Sequence, residues 1–152
     1  MADRRYVRVY RITDISPGDQ IVASRTETEY VLGMIKAVYY HHAIVSSVDV
    51  DCNTFNVIEK MPGGVDWEVY TMDKDKTIWK INNPNRVFSP NETIARAKSR
   101  VYEEGYDVEK DNCEHFAEWC ASGMPRSYQI ENLSFFKRLL LPVVKGKGER
   151  KL

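Results

Sequence analysis

The stretch from Asn112 to Ala117, which reads Asn-Cys-Glu-His-Phe-Ala, holds the residue types best suited to covalent chemistry. If Asn112 is an N-cap, Cys113 is the first residue of a helix, where backbone N–H groups and the helix dipole stabilise an anion. A thiolate is the reactive form of cysteine, so this position favours a nucleophile. A lone cysteine at a helix start is, however, more often a small buried hydrophobic residue. Local chemistry alone therefore leaves both interpretations open.

A nucleophilic cysteine needs a base, and the sequence contains three histidines: His41, His42 and His115. On a helix, His115 projects about 200° away from Cys113, which makes it a poor partner. His41 and His42 lie in a strand-like segment, where adjacent side chains point to opposite faces, so we expect only one to face the helix. A strand histidine against a cysteine at a helix start is the arrangement of papain-like thiol enzymes.

Strand-like patterns fill the chain up to about residue 85, with apolar and polar side chains alternating at a period of two. The stretch 30–36 is ambiguous between strand, helix and ordered loop. A turn is predicted at 16–19 and a hairpin connection at 49–53. The predicted strands are 6–12, 20–23, 39–48, 55–58, 66–72 and 77–81.

The pattern changes to a helical period from Ser89 onward. The stretch Ser89–Glu92 combines a capping box with proline at the first helical position, and this helix is predicted to end near Glu104, before Gly105. A second helix is predicted from 111 to about 122, with Gly123 ending it. Strands followed by helices indicate an α+β domain with an antiparallel β-sheet packed against helices.

These segments together resemble one enzyme family. The stretch Asn112–Phe116 looks like the NCEHF motif of the lecithin:retinol acyltransferase-like family, which includes the HRAS-like suppressor phospholipid acyltransferases. Pro17–Ile21 resembles an early strand of that family, Tyr40–Val45 resembles its catalytic-histidine strand, and Arg96-Ala97 lies in the helix before the cysteine motif. The strand histidine precedes the helix cysteine, which implies the permuted NlpC-type papain-like fold. The resemblance extends from about residue 15 to residue 123.

The resemblance implies roles for individual residues. His41 is the catalytic base beside Cys113, and His42 takes an aromatic position that faces away from the thiol. The third residue of the family, usually a histidine on the next strand, falls where this chain has Glu59. Glu59 either orients His41 and stabilises its imidazolium, as acidic third members do elsewhere, or is a surface residue that leaves a Cys–His dyad.

The activity that the resemblance implies is thiol-dependent acyl transfer or phospholipase A-type hydrolysis. Cys113 attacks a glycerophospholipid or other acyl ester, forms an acyl thioester, and passes the acyl group to water, an alcohol or an amine. The Cys113 N–H and a neighbouring amide at the helix start are expected to hold the oxyanion. Two alternatives stay open: a binding or regulatory module with weak catalysis, and a thiol peptidase or amidase on the same scaffold.

Composition narrows the class of protein. Lys and Arg total 22, as do Asp and Glu, so the zero formal net charge argues against a nucleic-acid partner. No apolar run approaches the ~18 residues of a membrane-spanning helix, and no signal peptide is visible. The cysteines, Cys52, Cys113 and Cys120, form neither an even set nor a tight metal-binding pair, which favours a cytoplasmic location. We expect no cofactor and no metal site, because adjacent strand histidines cannot chelate one ion together.

The chain is predicted to consist of a catalytic domain over 1–126 and a C-terminal extension over 127–152. The extension contains an apolar cluster, Phe135 to Val144, followed by a basic end. This combination either contacts a membrane surface peripherally or packs on the domain. The sequence leaves the oligomeric state open.

Overall fold

The computed structural model of the protein describes residues 5–25, 39–73, 76–108 and 110–131. The ambiguous stretch 30–36 and the apolar cluster 135–144 lie outside these residues. Within them, the chain forms one six-stranded sheet, three α-helices and a 3₁₀ turn. The strands are β1 (Arg5–Val9), β2 (Gln20–Arg25), β3 (Tyr39–Asp49), β4 (Thr54–Met61), β5 (Gly64–Thr71) and β6 (Ile78–Asn82); the helices are α1 (Pro90–Lys98), α2 (Cys113–Ser122) and α3 (Tyr128–Glu131).

The sheet has the strand order β1-β6-β2-β3-β4-β5, and its neighbouring strands pair antiparallel. Each predicted strand is found, with its ends shifted by a few residues. The strand β1 ends three residues early, at Val9, because the Asp14 carboxylate accepts hydrogen bonds from the N–H groups of Tyr10 and Arg11 and starts a 3₁₀ turn. The α+β class and the antiparallel sheet packed against helices are confirmed.

The two faces of the sheet carry separate apolar clusters, as alternating side chains require. Ile44 of β3 and Ile58 of β4 pack against Phe116 and Ala117 of α2. Ala43, Val45 and their neighbours point to the other side. That second cluster consists of Val9, Ile12, Ile15, Ile21, Ala43, Val45, Phe55, Val57 and Ile78.

The pairing of β3 changes along its length. Its register with β4 runs from the pair Ile44–Ile58 to the pair Asp49–Thr54, with a bulge after Val45. The earlier half of β3 pairs with β2, where His41 lies opposite Ala23. This earlier half of β3 is where the start of α2 contacts the sheet.

The prediction that α1 continues to Glu104 is wrong, because α1 ends at Lys98. Its start is as predicted, with a Ser89–Glu92 capping box and proline at the first position. Beyond the helix, the Tyr102 N–H donates to the Val65 carbonyl and the Val65 N–H donates to the Glu103 carbonyl. Pairing with β5 therefore replaces the continued helix, and Gly64 allows it, since a Cβ there would lie 2.0 Å from the Glu103 oxygen.

None of the helices in the described part of the chain is long and apolar enough to cross a membrane. The helices instead cover one face of the sheet. The predicted domain boundary after residue 126 stays a prediction, although α3 contacts α2 through hydrogen bonds described below.

Candidate active site

Asn112 caps α2 and places Cys113 at its first position, as the sequence predicts. The Asn112 Oδ1 accepts hydrogen bonds from the N–H groups of Glu114, at 2.9 Å, and His115, at 3.0 Å. His115 completes the cap, because its Nδ1 accepts the Asn112 N–H at 3.0 Å. His115 is thus a capping residue, and its side chain is turned towards Asn112 rather than the thiol. Cys113 itself is fully buried.

The three predicted site residues, Cys113, His41 and Glu59, lie together. The Nε2 of His41 is 2.8 Å from the Oε1 of Glu59, and the Cys113 side chain hydrogen-bonds to His41. Only 3% of His41 and 6% of Glu59 are exposed. Glu59 is therefore a buried neighbour of His41 and not a residue of the open surface, which agrees with the first alternative; the orienting role itself stays a prediction.

Tyr70 extends this group of hydrogen-bonded side chains. Its hydroxyl donates to the same Glu59 oxygen that contacts His41. Tyr70 also packs edge-on against the buried Phe55, which holds its ring in place. Sequence reasoning did not find Tyr70. Its position on β5 next to β4 is the only signal that could have indicated it.

The surroundings of His41 favour its charged form. Burial by itself lowers the pKa of His41, but hydrogen bonds and negative charge from Cys113 and Glu59 outweigh that effect and raise the pKa to about 9. At neutral pH the imidazole is therefore protonated beside the thiol. An imidazolium stabilises a thiolate, as in papain-like enzymes, so this pair can supply both a nucleophile and a proton donor.

His42 lies in a different, fully buried polar environment. Its Nδ1 is 3.3 Å from the Gln20 Nε2, and its Nε2 is 3.7 Å from the Glu114 Oε2. Both histidines thus contact side chains of α2, although adjacent residues of a strand point to opposite faces. Consecutive helix residues project about 100° apart, so Cys113 and Glu114 each contact a different histidine.

Glu118 and Glu114 anchor α2 to the elements around it. The Oε2 of Glu118 accepts hydrogen bonds from the side-chain amides of Gln20, at 2.8 Å, and Asn83, at 2.9 Å. The Oε1 of Glu114 accepts the Ser127 hydroxyl at 2.8 Å and the Gln129 N–H at 3.1 Å. Both carboxylates are fully buried, so these contacts fix the helix against β2 and α3.

The predicted oxyanion site needs a correction. A neighbouring amide at the start of α2 was expected to act with the Cys113 N–H, but the N–H groups of Glu114 and His115 both donate to Asn112. Because both N–H groups donate to the Asn112 cap, they are not available to an oxyanion.

The other two cysteines differ from Cys113. Cys120 packs in the core beside Ile44 and Phe116, and burial raises the pKa of its thiol to about 12. Cys52 is exposed in the β3–β4 turn. In the part of the chain that the structure describes, no three His, Cys, Asp or Glu side chains converge on a metal site.

A surface cleft of about 440 Å³ lies beside β4 and β5. Glu59 forms part of its wall, next to the β4–β5 turn. Carboxylates line part of the remaining wall. Apolar and aromatic side chains line the other part, among them Met61, Val65, Trp67 and Tyr102. The cleft thus provides concave apolar surface next to the residue that holds His41.

A comparison with protein families agrees with this geometry. The family model described as lecithin retinol acyltransferase matches residues 46–126. The matched segment contains Glu59 and Cys113 but begins after His41, so the placement of His41 depends on the structure. The comparison with curated proteins found no match. The family supports an acyltransferase or related thiol-enzyme function in general. Because the match covers more than half of the residues of the chain, the chain belongs to the lecithin retinol acyltransferase family.

Proposed function

We propose that the protein transfers or hydrolyses acyl groups of glycerophospholipid esters through an acyl thioester on Cys113. The observation that carries the proposal is the buried series Cys113–His41–Glu59, in which a cysteine at a helix start contacts a charged histidine held by a carboxylate. This is the set of groups that covalent thiol catalysis requires: a nucleophile, a proton-transfer group and an orienting residue.

The proposed reaction has two halves. The Cys113 thiolate attacks the ester carbonyl carbon, and the His41 imidazolium gives its proton to the departing alkoxide. The resulting thioester is attacked by water or by an acceptor alcohol or amine, and neutral His41 now removes the proton of that nucleophile. Glu59 holds the ring orientation and stabilises the imidazolium in both halves, and Tyr70 fixes Glu59.

The exposed apolar and aromatic side chains on this part of the surface support a lipid substrate. Trp67, Val69 and Tyr102 are 41%, 57% and 77% exposed, and Trp67 and Tyr102 line the cleft that reaches Glu59. We propose that the cleft holds apolar parts of the substrate and that the protein acts from the cytoplasm, in peripheral contact with a membrane. Aromatic side chains are well suited to such an interface because they combine an apolar body with a polar group.

Mass spectrometry of the trapped thioester tests the proposal. We expect the protein, incubated with phosphatidylcholine vesicles that carry one defined acyl chain, to gain the mass of one acyl group on Cys113. Neutral hydroxylamine should remove the group, because it cleaves thioesters. Release of labelled fatty acid should accompany the adduct.

The cysteines of the chain supply matched controls. Cys113→Ala should give neither adduct nor release, whereas Cys52→Ser, which alters an exposed turn residue, should behave as the unmodified protein. An adduct on Cys52, or fatty-acid release by Cys113→Ala, contradicts the proposed nucleophile. A protein silent towards both ester and iodoacetamide indicates a binding module, and cleavage of peptide amides alone indicates a peptidase.

Glu59→Gln should move the alkaline limb of the pH–rate profile to lower pH. Negative charge on Glu59 contributes to the His41 pKa of about 9, and removing it lowers that pKa, so His41 loses its proton earlier as the pH rises. The first acylation of Cys113 by a p-nitrophenyl ester, followed between pH 6 and 10, measures the effect.

Tyr70→Phe provides the matched control for that experiment. It removes the hydroxyl that donates to Glu59 but keeps the Glu59 carboxylate beside His41, so the alkaline limb should not move to lower pH. If Glu59→Gln and the unmodified protein give the same profile, Glu59 does not set the charge state of His41, and Cys113 and His41 act as a dyad.

A further inference from the structure

Gln129 carries a polar side chain near the thiol that the mechanism above leaves unused. Its amide makes two hydrogen bonds to the backbone of Tyr40: the Tyr40 N–H donates to Oε1 at 2.9 Å, and Nε2 donates to the Tyr40 carbonyl at 2.8 Å. The Sγ of Cys113 lies 4.0 Å from that same carbonyl oxygen. The amide nitrogen and the thiol therefore share one neighbouring atom.

The position of Gln129 is fixed from two directions. Its side chain is held by the Tyr40 backbone in β3, next to His41 in the chain. Its backbone N–H donates to the buried carboxylate of Glu114, the residue that follows Cys113. A donor held at both its side chain and its backbone is preorganised, which is what stabilisation of a transient charge requires.

The chemistry of the amide group also fits. A glutamine Nε2 carries two hydrogens, and one hydrogen bond to the Tyr40 carbonyl uses one of them. The cap at Asn112 already consumes the N–H groups of Glu114 and His115. The start of α2 thus supplies fewer donors than acyl transfer by a thiol normally uses.

We propose that the Gln129 side-chain amide, together with the Cys113 N–H, binds the oxyanion of the tetrahedral intermediate. This inference rests on the proposed function. As the thiolate electron pair forms the C–S bond, the carbonyl π pair moves onto oxygen, and the second Nε2 hydrogen of Gln129 donates to that oxygen. When the C=O bond re-forms, the alkoxide leaves with the proton of His41. Gln129 lies beyond the matched segment 46–126, within the predicted extension 127–152.

Two reactions of Cys113 distinguish oxyanion binding by Gln129 from a role in which Gln129 only positions the thiol. A p-nitrophenyl ester acylates Cys113 through an oxyanion, whereas iodoacetamide alkylates it by displacing iodide, with no oxyanion. Gln129→Met, of similar length without a donor, should slow acylation by about 10²–10³-fold and leave alkylation nearly unchanged. Both rates are measured in a Cys52→Ser background, across pH, so that any change in the thiolate fraction is corrected.

Further variants keep the test decisive. Gln129→Glu retains an acceptor for the Tyr40 N–H and serves if Gln129→Met does not fold; it should also slow acylation selectively. Glu131→Gln, on the exposed surface of α3 where it pairs with Arg126, should change neither rate. If the Gln129 variants slow or speed both reactions equally, or neither, the proposal is wrong. If the unmodified protein is alkylated but never acylated, the proposed function fails instead.

Discussion

His41→Ala is expected to lower acyl transfer by about 10²–10⁴-fold, the usual contribution of a positioned acid–base group. The variant loses the imidazolium that stabilises the thiolate and protonates the leaving group. It also leaves Glu59 without its histidine partner, although Tyr70 still donates to that carboxylate. The rate of p-nitrophenyl ester acylation, followed as release of nitrophenolate, gives the effect directly.

Added imidazole should recover part of the activity of His41→Ala, because the substitution leaves a gap of the shape of the missing ring next to Cys113. The matched control is His115→Gln, which keeps a side-chain acceptor for the Asn112 N–H and should retain nearly full activity. Thermal unfolding of both variants checks that the fold persists. If His41→Ala keeps full activity, or if activity is lost only in His42→Ala, the assignment of the base to His41 is wrong.

The parts of the site that sequence reasoning predicts well depend on local physics. The cap at Asn112 and the first helical position of Cys113 follow from side-chain hydrogen bonding within three residues. The strand that carries His41 follows from its content of Tyr, Val and Ile, and alternation at a period of two predicts the strand 55–58, which the structure extends through Glu59. The pairing of His41 with Cys113 came from family resemblance, and the structure supports the contact.

The parts that could not be predicted depend on contacts between distant segments. Whether Glu59 lies at the surface or beside His41 is decided by the β3–β4 register and by Tyr70 on a third strand. The end of α1 is decided by backbone hydrogen bonds in which the Tyr102 N–H donates to Val65 and the Val65 N–H donates to Glu103. No pattern in the sequence around Gln129 indicates that its side chain contacts Tyr40. In each case a tertiary partner outweighs a local pattern.

Lys60 shows the same dependence on distant partners. It follows Glu59 on β4 and is fully buried, with its Nζ 3.1 Å from the Glu103 Oε1 and 2.5 Å from the Asp111 Oδ2. Both carboxylates belong to the segment between α1 and α2, so this cluster connects the strand of Glu59 to the chain that leads into Cys113. We infer that the cluster stabilises the arrangement of the site as well as the fold.

The double variant Glu103→Gln, Asp111→Asn should lower the free energy of unfolding by about 3 to 5 kcal/mol, because it leaves the buried Lys60 ammonium without an anionic partner. Urea denaturation at pH 7 measures this change. Adding Lys60→Met, which removes the stranded charge at similar volume, should restore most of the loss. The exposed pair Arg126–Glu131 is the matched control, and Glu131→Gln should cost less than about 1 kcal/mol.

The pH dependence of stability gives an independent measure of the same cluster. Hydrogen bonding to Arg100 is the main cause that lowers the pKa of Glu103 to about 2, with Lys60 adding to it. A carboxylate with a lowered folded-state pKa stabilises the fold fully above its unfolded value of about 4.5, and this contribution is lost as the pH falls towards 2. The double variant should lack the Glu103 part of this acid transition. If Lys60→Met fails to recover stability in the double variant, the loss comes from the packing of Glu103 and Asp111 and not from a buried charge.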